Sequence, residues 1–356
     1  NVSNFISNLD DIAKKQEFLL SDQNAIFFPF ASDPQTASSN IQSGFQIAGN
    51  SPLDKILNNL IIKSIKENSV MVLVTDLIID DPKLDGANEL NTLQARVKTM
   101  FSEANKNNLA AIIYRFETSY SGMYFSSKRS ISYDINQVRP YFFWVIGPSE
   151  MVTQFGAKFE ESYKKDLNAV YAGIKPRFGV PFLFEYSGAK GCSIKIDYSK
   201  DSTKVLGYHI IQRGDSLEFC FGLDMSPIPK GLFKGTNGVK NLLGIETKMA
   251  RISTRYLDQN SFLKGKDIKE KDREFAGNLG HFFIVGVADI QKSISYTLEL
   301  KTNLTPANNF SQFSISDDTD KTELLNKTFG LTEFINGMIG AYEKSNPKIL
   351  ATIKIN

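Results

Sequence analysis

The chain has 356 residues, 42% of them hydrophobic and 22% charged, so it can bury a sizeable core and is long enough for two domains. Its net charge of +2 gives no overall attraction to nucleic acid or to an anionic membrane surface. No run approaches the ~18 apolar residues that a transmembrane helix needs. No signal peptide is visible. The chain starts at Asn1 rather than Met, so the loss of an N-terminal piece by processing, cloning or disorder stays open, as do export and a cytoplasmic location.

Few side chains are available for soft-metal or redox chemistry. Cys192 and Cys220 cannot form a structural zinc site alone, because such a site needs four ligands. Their spacing does not show whether they pair. The two histidines, His209 and His281, each lie among apolar or aromatic residues in strand-like sequence, which favours structural roles.

The first half of the chain alternates predicted strands and helices. Helical spacing of apolar residues predicts helices at 52–66, at 88–105 and from Ser149 onwards. Apolar runs predict strands at 25–30, 70–75, 109–116 and 141–146. Continuous apolar strands separated by amphipathic helices are typical of parallel sheets. The fold class predicted here is therefore α/β, an open and mostly parallel sheet with helices on both faces.

The pattern changes after a segment rich in Gly and Pro at 173–181, which we interpret as a linker. Alternating or short apolar runs then predict strands at 182–186, 193–198, 205–212, 217–223, 281–288 and 294–300. A helix is predicted at 330–343 and a last strand at 349–355. The predicted organisation is an α/β domain over 1–170 and a β-rich α+β domain over 180–356 that carries a C-terminal helix.

Several catalytic signatures are missing from the sequence. It contains no phosphate-binding loop, no Gly-x-Gly-x-x-Gly after a strand, no His-Glu-x-x-His and no Gly-x-Ser-x-Gly. An aspartyl nucleophile of the Asp-x-Asp type at Asp76 would need a carboxylate two residues later, where Ile78 stands. These absences argue against catalysis at the end of the strand at 70–75.

The strand at 70–75 ends in Thr75 and Asp76, and Ser51 starts the helix that leads into it. In a parallel sheet, ligands gather at the carboxyl ends of strands. A carboxylate, a hydroxyl and waters suit a hard cation such as Mg²⁺. We therefore predict a possible Mg²⁺ corner with Asp76 and Ser51 as ligands. The alternative is structural: Ser51 is a helix N-cap and Asp76 a polar strand end.

This order of elements resembles the middle of a von Willebrand factor A-type domain over about residues 25–165. That family carries a Thr in its second metal-contacting loop and Thr-Asp-Gly in its third. The resemblance implies that Ser51 replaces the Thr, that Asp76 matches the Asp, and that a partner carboxylate completes the cation's coordination. Leu77 departs from the usual Gly. The family's first motif, Asp-x-Ser-x-Ser, does not occur in the chain, so it either precedes Asn1 or was never present.

Further polar residues leave the strand at 109–116 at the same predicted edge. Thr75, Arg115, Glu117, Ser119 and Tyr120 are candidates for binding a ligand or partner, although the alternating pattern favours an extension of the strand. Two acidic segments, one with Asp80, Asp81 and Asp85 and one with Asp317, Asp318 and Asp320, are interpreted as solvated turns.

The sequence favours a non-catalytic binding protein that engages a protein partner at the carboxyl edge of the sheet, with possible assistance from Mg²⁺. No nucleic-acid partner is expected. Two alternatives stay open, a metal-dependent hydrolase with Asp76 as a ligand and a structural assembly component.

Overall fold

The structure is a computed structural model that describes most of the chain from residue 53 onwards. The described residues are 53–77, 89–126, 131–163, 167–174, 182–184, 192–198, 205–212, 216–224, 226, 228–233, 243–246, 251–264, 273, 276, 279–288, 296–302, 310–324, 326–342 and 349–355. The predicted strand at 25–30, Ser51 and the acidic segment with Asp80, Asp81 and Asp85 lie outside them.

Most helices and strands occur where the apolar pattern predicts them. Those of the first half are α1 (Leu53–Glu67), β1 (Met71–Thr75), α2 (Glu89–Lys106), β2 (Leu109–Phe125), β3 (Ser132–Pro148), α3 (Ser149–Ser162) and β4 (Asn168–Ala172). Those that follow are β5 (Phe182–Phe184), β6 (Cys192–Tyr198), β7 (Val205–Gln212), β8 (Ser216–Leu223), β9 (Leu243–Glu246), β10 (Arg251–Asp258), α4 (Gln259–Leu263), β11 (His281–Ala288), β12 (Tyr296–Thr302), β13 (Ser314–Ile315), β14 (Thr328–Phe329), α5 (Leu331–Tyr342) and β15 (Ile349–Ile355). The predicted helices are confirmed, whereas β4, β9, β10, α4 and the two-residue strands β13 and β14 were not predicted.

The prediction of an open, mostly parallel sheet is wrong. The first sheet has the strand order β1–β3–β2–β4, and each neighbouring pair is antiparallel. The predicted strands at 109–116 and 141–146 are halves of one long hairpin, since the polar residues between them continue both strands. A parallel pair needs a crossover connection, which a hairpin does not provide. The apolar runs arise because the strands are covered on both faces, and such burial gives continuous apolar sequence in either topology.

The chain divides into two compact units. One contains Asn1–Ile174 and Pro306–Ser345, and the other contains Lys175–Thr305 and Asn346–Asn356. The segment with α5, which the sequence assigned to the C-terminal domain, therefore belongs to the unit of the first sheet. Helix α5 packs closely on α2: a Cβ at Gly337 would lie only 2.5 Å from the backbone oxygen of Gln94. Any larger residue at position 337 would push the two helices apart.

The core of the first unit lies on both faces of its sheet. On one face, Trp144 of β3 packs against Phe101 of α2 and against Phe334 of α5, with ring centroids 6.3 and 5.1 Å apart. On the other face, Phe159 of α3 packs against Tyr114, at a centroid distance of 4.9 Å. The buried Glu160 of α3 accepts hydrogen bonds from the hydroxyls of Tyr114 and Tyr171, at 2.9 and 2.7 Å.

The second unit is rich in β-structure, as the alternating runs predict. One sheet has the order β10–β11–β8–β5 and is antiparallel throughout. The other has the order β6–β7–β15–β12–β9, in which β7 and β15 are parallel. Cys220 is buried in β8, and Cys192 lies in β6 of the other sheet. The His281 ring nitrogen Nδ1 lies 2.7 Å from the Tyr256 hydroxyl, so this histidine has a hydrogen-bond partner within the sheet.

Among the described residues, none of the helices combines the length and the apolar character that crossing a bilayer requires.

Candidate functional site

The candidate site lies where β1 ends and the β2–β3 hairpin continues alone. Thr75 and Arg115 both pair with Phe142 of β3, so they lie at the same level of the sheet on either side of that strand. β1 pairs with β3 only as far as Phe142, and β4 pairs with β2 only as far as Arg115. Beyond this level, residues 117–125 and 132–140 pair with each other, and we call this part of the hairpin the distal ribbon.

A strained corner holds Asp76 at the end of β1. The Thr75 hydroxyl accepts a hydrogen bond from the backbone N–H of Leu77 at 3.0 Å. Leu77 has a φ of 60°, in the left-handed region, and its side chain is fully buried in the core. The conformational cost of about 1–2 kcal/mol for a non-glycine residue is offset by burial of a leucine, about 1.5–3 kcal/mol. Asp76 therefore lies exposed between two buried neighbours.

The charge of Asp76 acts on three side chains of the ribbon. Burial raises the pKa of Tyr120, and the nearby Asp76 carboxylate raises it further. The pKa of Tyr124 is raised by burial and by Asp318, with a smaller contribution from Asp76. Burial lowers the pKa of Arg139, whereas Tyr124 and Asp76 act in the opposite direction. The corner thus brings a carboxylate close to a buried guanidinium and two phenols.

Arg139 attaches the ribbon to the segment between β13 and β14. Its Nη1 donates to the backbone oxygens of Leu324 and Lys327, at 2.6 and 3.1 Å. Its guanidinium lies over the Tyr124 ring, 4.9 Å from the centroid. The Tyr124 hydroxyl donates to Oδ2 of Asp318 at 2.8 Å.

Asp318 itself is buried, so the interpretation of that residue as part of a solvated turn is wrong. The neighbouring Asp317 and Asp320 are exposed and accept hydrogen bonds from Thr319 and Thr322. Their interpretation as turn residues is confirmed. Sequence alone cannot separate the three, because what distinguishes Asp318 is its contact with Tyr124, far away in the chain.

Arg115 is also a buried support for the ribbon. Its Nη1 pairs with Oε1 of Glu117 at 2.8 Å, and its Nη2 donates to the backbone oxygen of Asn326 at 2.9 Å. The guanidinium lies over the Phe313 ring, 3.8 Å from the centroid. Arg115 is therefore held by the protein itself, and Glu117 presents the exposed end of the pair. The predicted extension of the strand is confirmed, since β2 continues to Phe125.

Ser119 and Tyr120 are exposed on the ribbon. Tyr120 is 38% exposed, and its hydroxyl donates to the backbone oxygen of Met123 at 2.8 Å. A Cβ at Gly122 would lie 3.1 Å from that hydroxyl, so the glycine leaves room for the ring. Tyr120 is thus a half-exposed aromatic residue in a fixed position.

The described residues around Asp76 do not by themselves make up an Mg²⁺ ligand set. The Thr75 hydroxyl is buried and accepts the N–H of Leu77, and the charged group acting on Asp76 from β3 is the guanidinium of Arg139. Among the described residues, no cluster of three or more His, Cys, Asp or Glu side chains suits a metal ion. Because Ser51 lies outside them, the Mg²⁺ corner stays a prediction.

The structure therefore brings Asp76 near Tyr120, pairs Arg115 with Glu117, and adds Arg139 and Tyr124, which the sequence did not single out. The sequence did contain a signal for Arg139, which stands between Val138 and Pro140 in an alternating strand run. An arginine in a strand is seldom buried unless it has partners, so a partner for Arg139 could have been sought.

In comparisons with protein-family models, curated proteins and solved structures, this chain matches none of them.

Proposed function

We propose that the protein is a non-catalytic binding protein that engages a protein partner through the distal ribbon and Asp76. The observation that carries the proposal is the exposure of three large apolar side chains on the ribbon, Tyr120, Met123 and Val138. With them we define the hairpin surface, which consists of the exposed side chains on the two faces of the ribbon and at its base. By strand alternation Tyr120 lies on one face, and Glu117, Ser119, Met123 and Val138 lie on the other, with Asp76 at the base.

The composition of this surface suits recognition. Val138 pairs with Ser119 and Met123 pairs with Asp134 across the strands, so each of these apolar side chains has a polar neighbour on the same face of the ribbon. Tyrosine is enriched among the residues that dominate binding energy, and Met and aromatic residues are enriched in interfaces. The exposed carboxylates of Asp76 and Glu117, whose charges Arg139 and Arg115 balance, offer acceptors for hydrogen bonds from a partner.

The ribbon is also held rigidly enough to serve as a preformed surface. Tyr124 and Ile135 pack against Ile315, Leu324 and Phe329. The Lys321 ammonium donates to the backbone oxygen of Asp134 at 2.5 Å, and the Tyr133 hydroxyl donates to that of Thr319. A surface whose side chains are fixed before binding loses less conformational entropy in the complex.

Site-specific photo-crosslinking tests the proposal. A photoreactive residue replaces Met123 in one variant and Met151 in another. The two methionines are 46% and 41% exposed, but Met151 lies on α3 outside the hairpin surface. In extract of the source cells, we expect one discrete adduct from position 123 that disappears with Tyr120→Ala. Equal adducts from position 151, or an adduct that survives Tyr120→Ala, would contradict the proposal.

Assistance by Mg²⁺ is tested separately by a thermal melt. A cation that binds the native state raises the melting temperature as its concentration rises. A shift of the melting temperature at millimolar Mg²⁺ that is lost in Asp76→Asn would support a metal at this corner. The absence of a shift would mean that the hairpin surface binds its partner without Mg²⁺.

A further inference from the structure

The five-stranded sheet of the second unit has its middle strand from a distant part of the chain. The strand order is β6–β7–β15–β12–β9, so β15 lies at the centre although it is the last of the described strands along the chain. It pairs with β12 antiparallel, from Tyr296 with Ile355 to Lys301 with Ile349. It pairs with β7 in parallel, at Lys354 and Ile355. Among the described strands, β15 is the one that joins β7 to β12.

Without β15 this sheet would separate into two pairs of strands. β6 and β7 form one antiparallel pair, and β9 and β12 form the other. A two-stranded ribbon alone is marginally stable in water, whereas three or more strands with a shared apolar face can be stable. The space between β7 and β12 is therefore a site whose occupation by a strand turns two weak pairs into one sheet.

The register of the pairs makes this site selective for a particular strand. Paired residues lie on the same face of a sheet, and successive residues of a strand lie on opposite faces. One face thus carries apolar residues from all five strands, namely Ile194, Ile210, Ile245, Leu298, Ile353 and Ile355. A shift of β15 by one residue would exchange its apolar residues on this face for Thr352 and Lys354.

The strand reaches its site from a fixed point in the first unit. Helix α5 belongs to that unit, and only residues 343–348 separate its end at Tyr342 from β15. The Tyr342 hydroxyl donates to the backbone oxygen of Leu109 at 3.0 Å, and the Asn105 amide donates to that of Ala341 at 2.9 Å. A short tether of this kind gives the attached strand an effective concentration in the millimolar range.

We propose that the space between β7 and β12 is a strand-binding site whose ligand is the segment 349–355, and that the site takes up the same strand as a separate peptide when the chain's own β15 is weakened. When a strand is added to a sheet, backbone hydrogen bonds supply affinity and alternate residues supply specificity. The ligand class is thus an extended peptide with apolar residues at alternate positions. The site lies in the second unit and is independent of the hairpin surface.

Fluorescence anisotropy with a labelled peptide of residues 343–356 tests the proposal on the full chain. Ile353→Lys in the chain puts a charge on the apolar face and weakens its own β15. Thr352→Lys is the matched control, because it puts the same charge on the other face, where position 352 pairs with Glu299. Ile353→Lys should bind the peptide at least ~10-fold more tightly than the unchanged chain, since its own strand competes less. Thr352→Lys should behave like the unchanged chain, and a peptide that itself carries Ile353→Lys should bind to none of them.

Disulfide trapping tests the same site if circular dichroism shows that Ile353→Lys does not fold. The chain with Glu299→Cys is mixed with a peptide that carries Thr352→Cys, since these two positions pair in the register. Under oxidising conditions we expect a covalent adduct. Thr297→Cys, two residues out of register, should form much less of it, because its distance from position 352 exceeds the usual reach of a disulfide.

Three results would overturn the inference: equal peptide binding by the unchanged chain and both lysine variants, no adduct at position 299, or equal adducts at positions 297 and 299. None of these outcomes depends on the photo-crosslinking result at Met123.

Discussion

The two halves of the β2–β3 hairpin share strands and register but differ in their surroundings. The proximal half, residues 109–116 and 141–148, has β1 and β4 beside it and helices on both faces. The distal ribbon has the segment around Leu324 on one side and exposes Tyr120, Met123 and Val138. One continuous hairpin thus supplies both the core of the unit and its proposed binding surface. The difference shows that the neighbours of a strand decide its role.

The largest expected effect is in the proximal half. Trp144→Ala removes a fully buried side chain between Phe101 and Phe334, and should lower the free energy of unfolding by about 3–5 kcal/mol. Val138→Ala in the ribbon should change it by less than about 0.5 kcal/mol. Urea denaturation measures both, and Trp144→Phe replaces the alanine variant if that variant does not fold. Similar losses of unfolding free energy at the two positions would show that the two halves of the hairpin do not differ in packing.

The next effect concerns the attachment of the ribbon. Arg139→Ala leaves the backbone oxygens of Leu324 and Lys327 without their donor, and should cost about 2–3 kcal/mol. Hydrogen exchange should increase around residues 321–327 while the proximal strands stay protected. Arg139→Lys, which keeps the charge and can donate to one of the oxygens, should lose about half as much. Increased exchange throughout the sheet would mean that the ribbon and the sheet open as one unit.

A third prediction uses pH. Burial and Asp318 raise the pKa of Tyr124, so the native state holds this proton more tightly than the unfolded chain, where tyrosine titrates at about 10. The stabilisation is complete below that pH and is lost as the pH rises above it. Tyr124→Phe should cost about 1–2 kcal/mol at neutral pH, because Asp318 loses a donor, and should reduce the decline of stability above pH 10.

In the proximal half of the hairpin, Tyr114→Phe is the counterpart of Tyr124→Phe. Burial and Glu160 raise the pKa of Tyr114, so this variant should also reduce the alkaline decline in denaturation measured at several pH values. An unchanged decline in both variants would contradict the assignment to these tyrosines.

The smallest effect lies at the junction of the two halves. Leu77→Ala loses buried surface and keeps a side chain at a φ of 60°, whereas Leu77→Gly loses the same surface but relieves the strain. The glycine variant should therefore be more stable than the alanine variant by about 1 kcal/mol, the reverse of the order in ordinary strands. Thermal melts of the two variants measure this difference, and the ordinary order would show that the corner is not strained.

Part of the candidate site could be predicted from the sequence because its residues are close in the chain. Thr75 and Asp76 follow an apolar run, and Arg115 to Tyr120 follow another, so both groups were expected at strand ends. Arg139, Tyr124 and Asp318 were missed because their roles depend on contacts between distant residues, such as the bond from Tyr124 to Asp318. The buried Asp318 cannot be distinguished by sequence from the exposed Asp317 and Asp320 beside it.

By itself, the sequence determined where the helices and most strands lie, because the period of the apolar residues depends on local geometry alone. It also determined the β-rich character of the second unit. Only the tertiary structure decided that β2 and β3 form one hairpin, that the first sheet is antiparallel, and that α5 joins the first unit. The physical reason is that burial on both faces produces the same apolar runs in either strand direction, so direction is set by which residues pair across the chain.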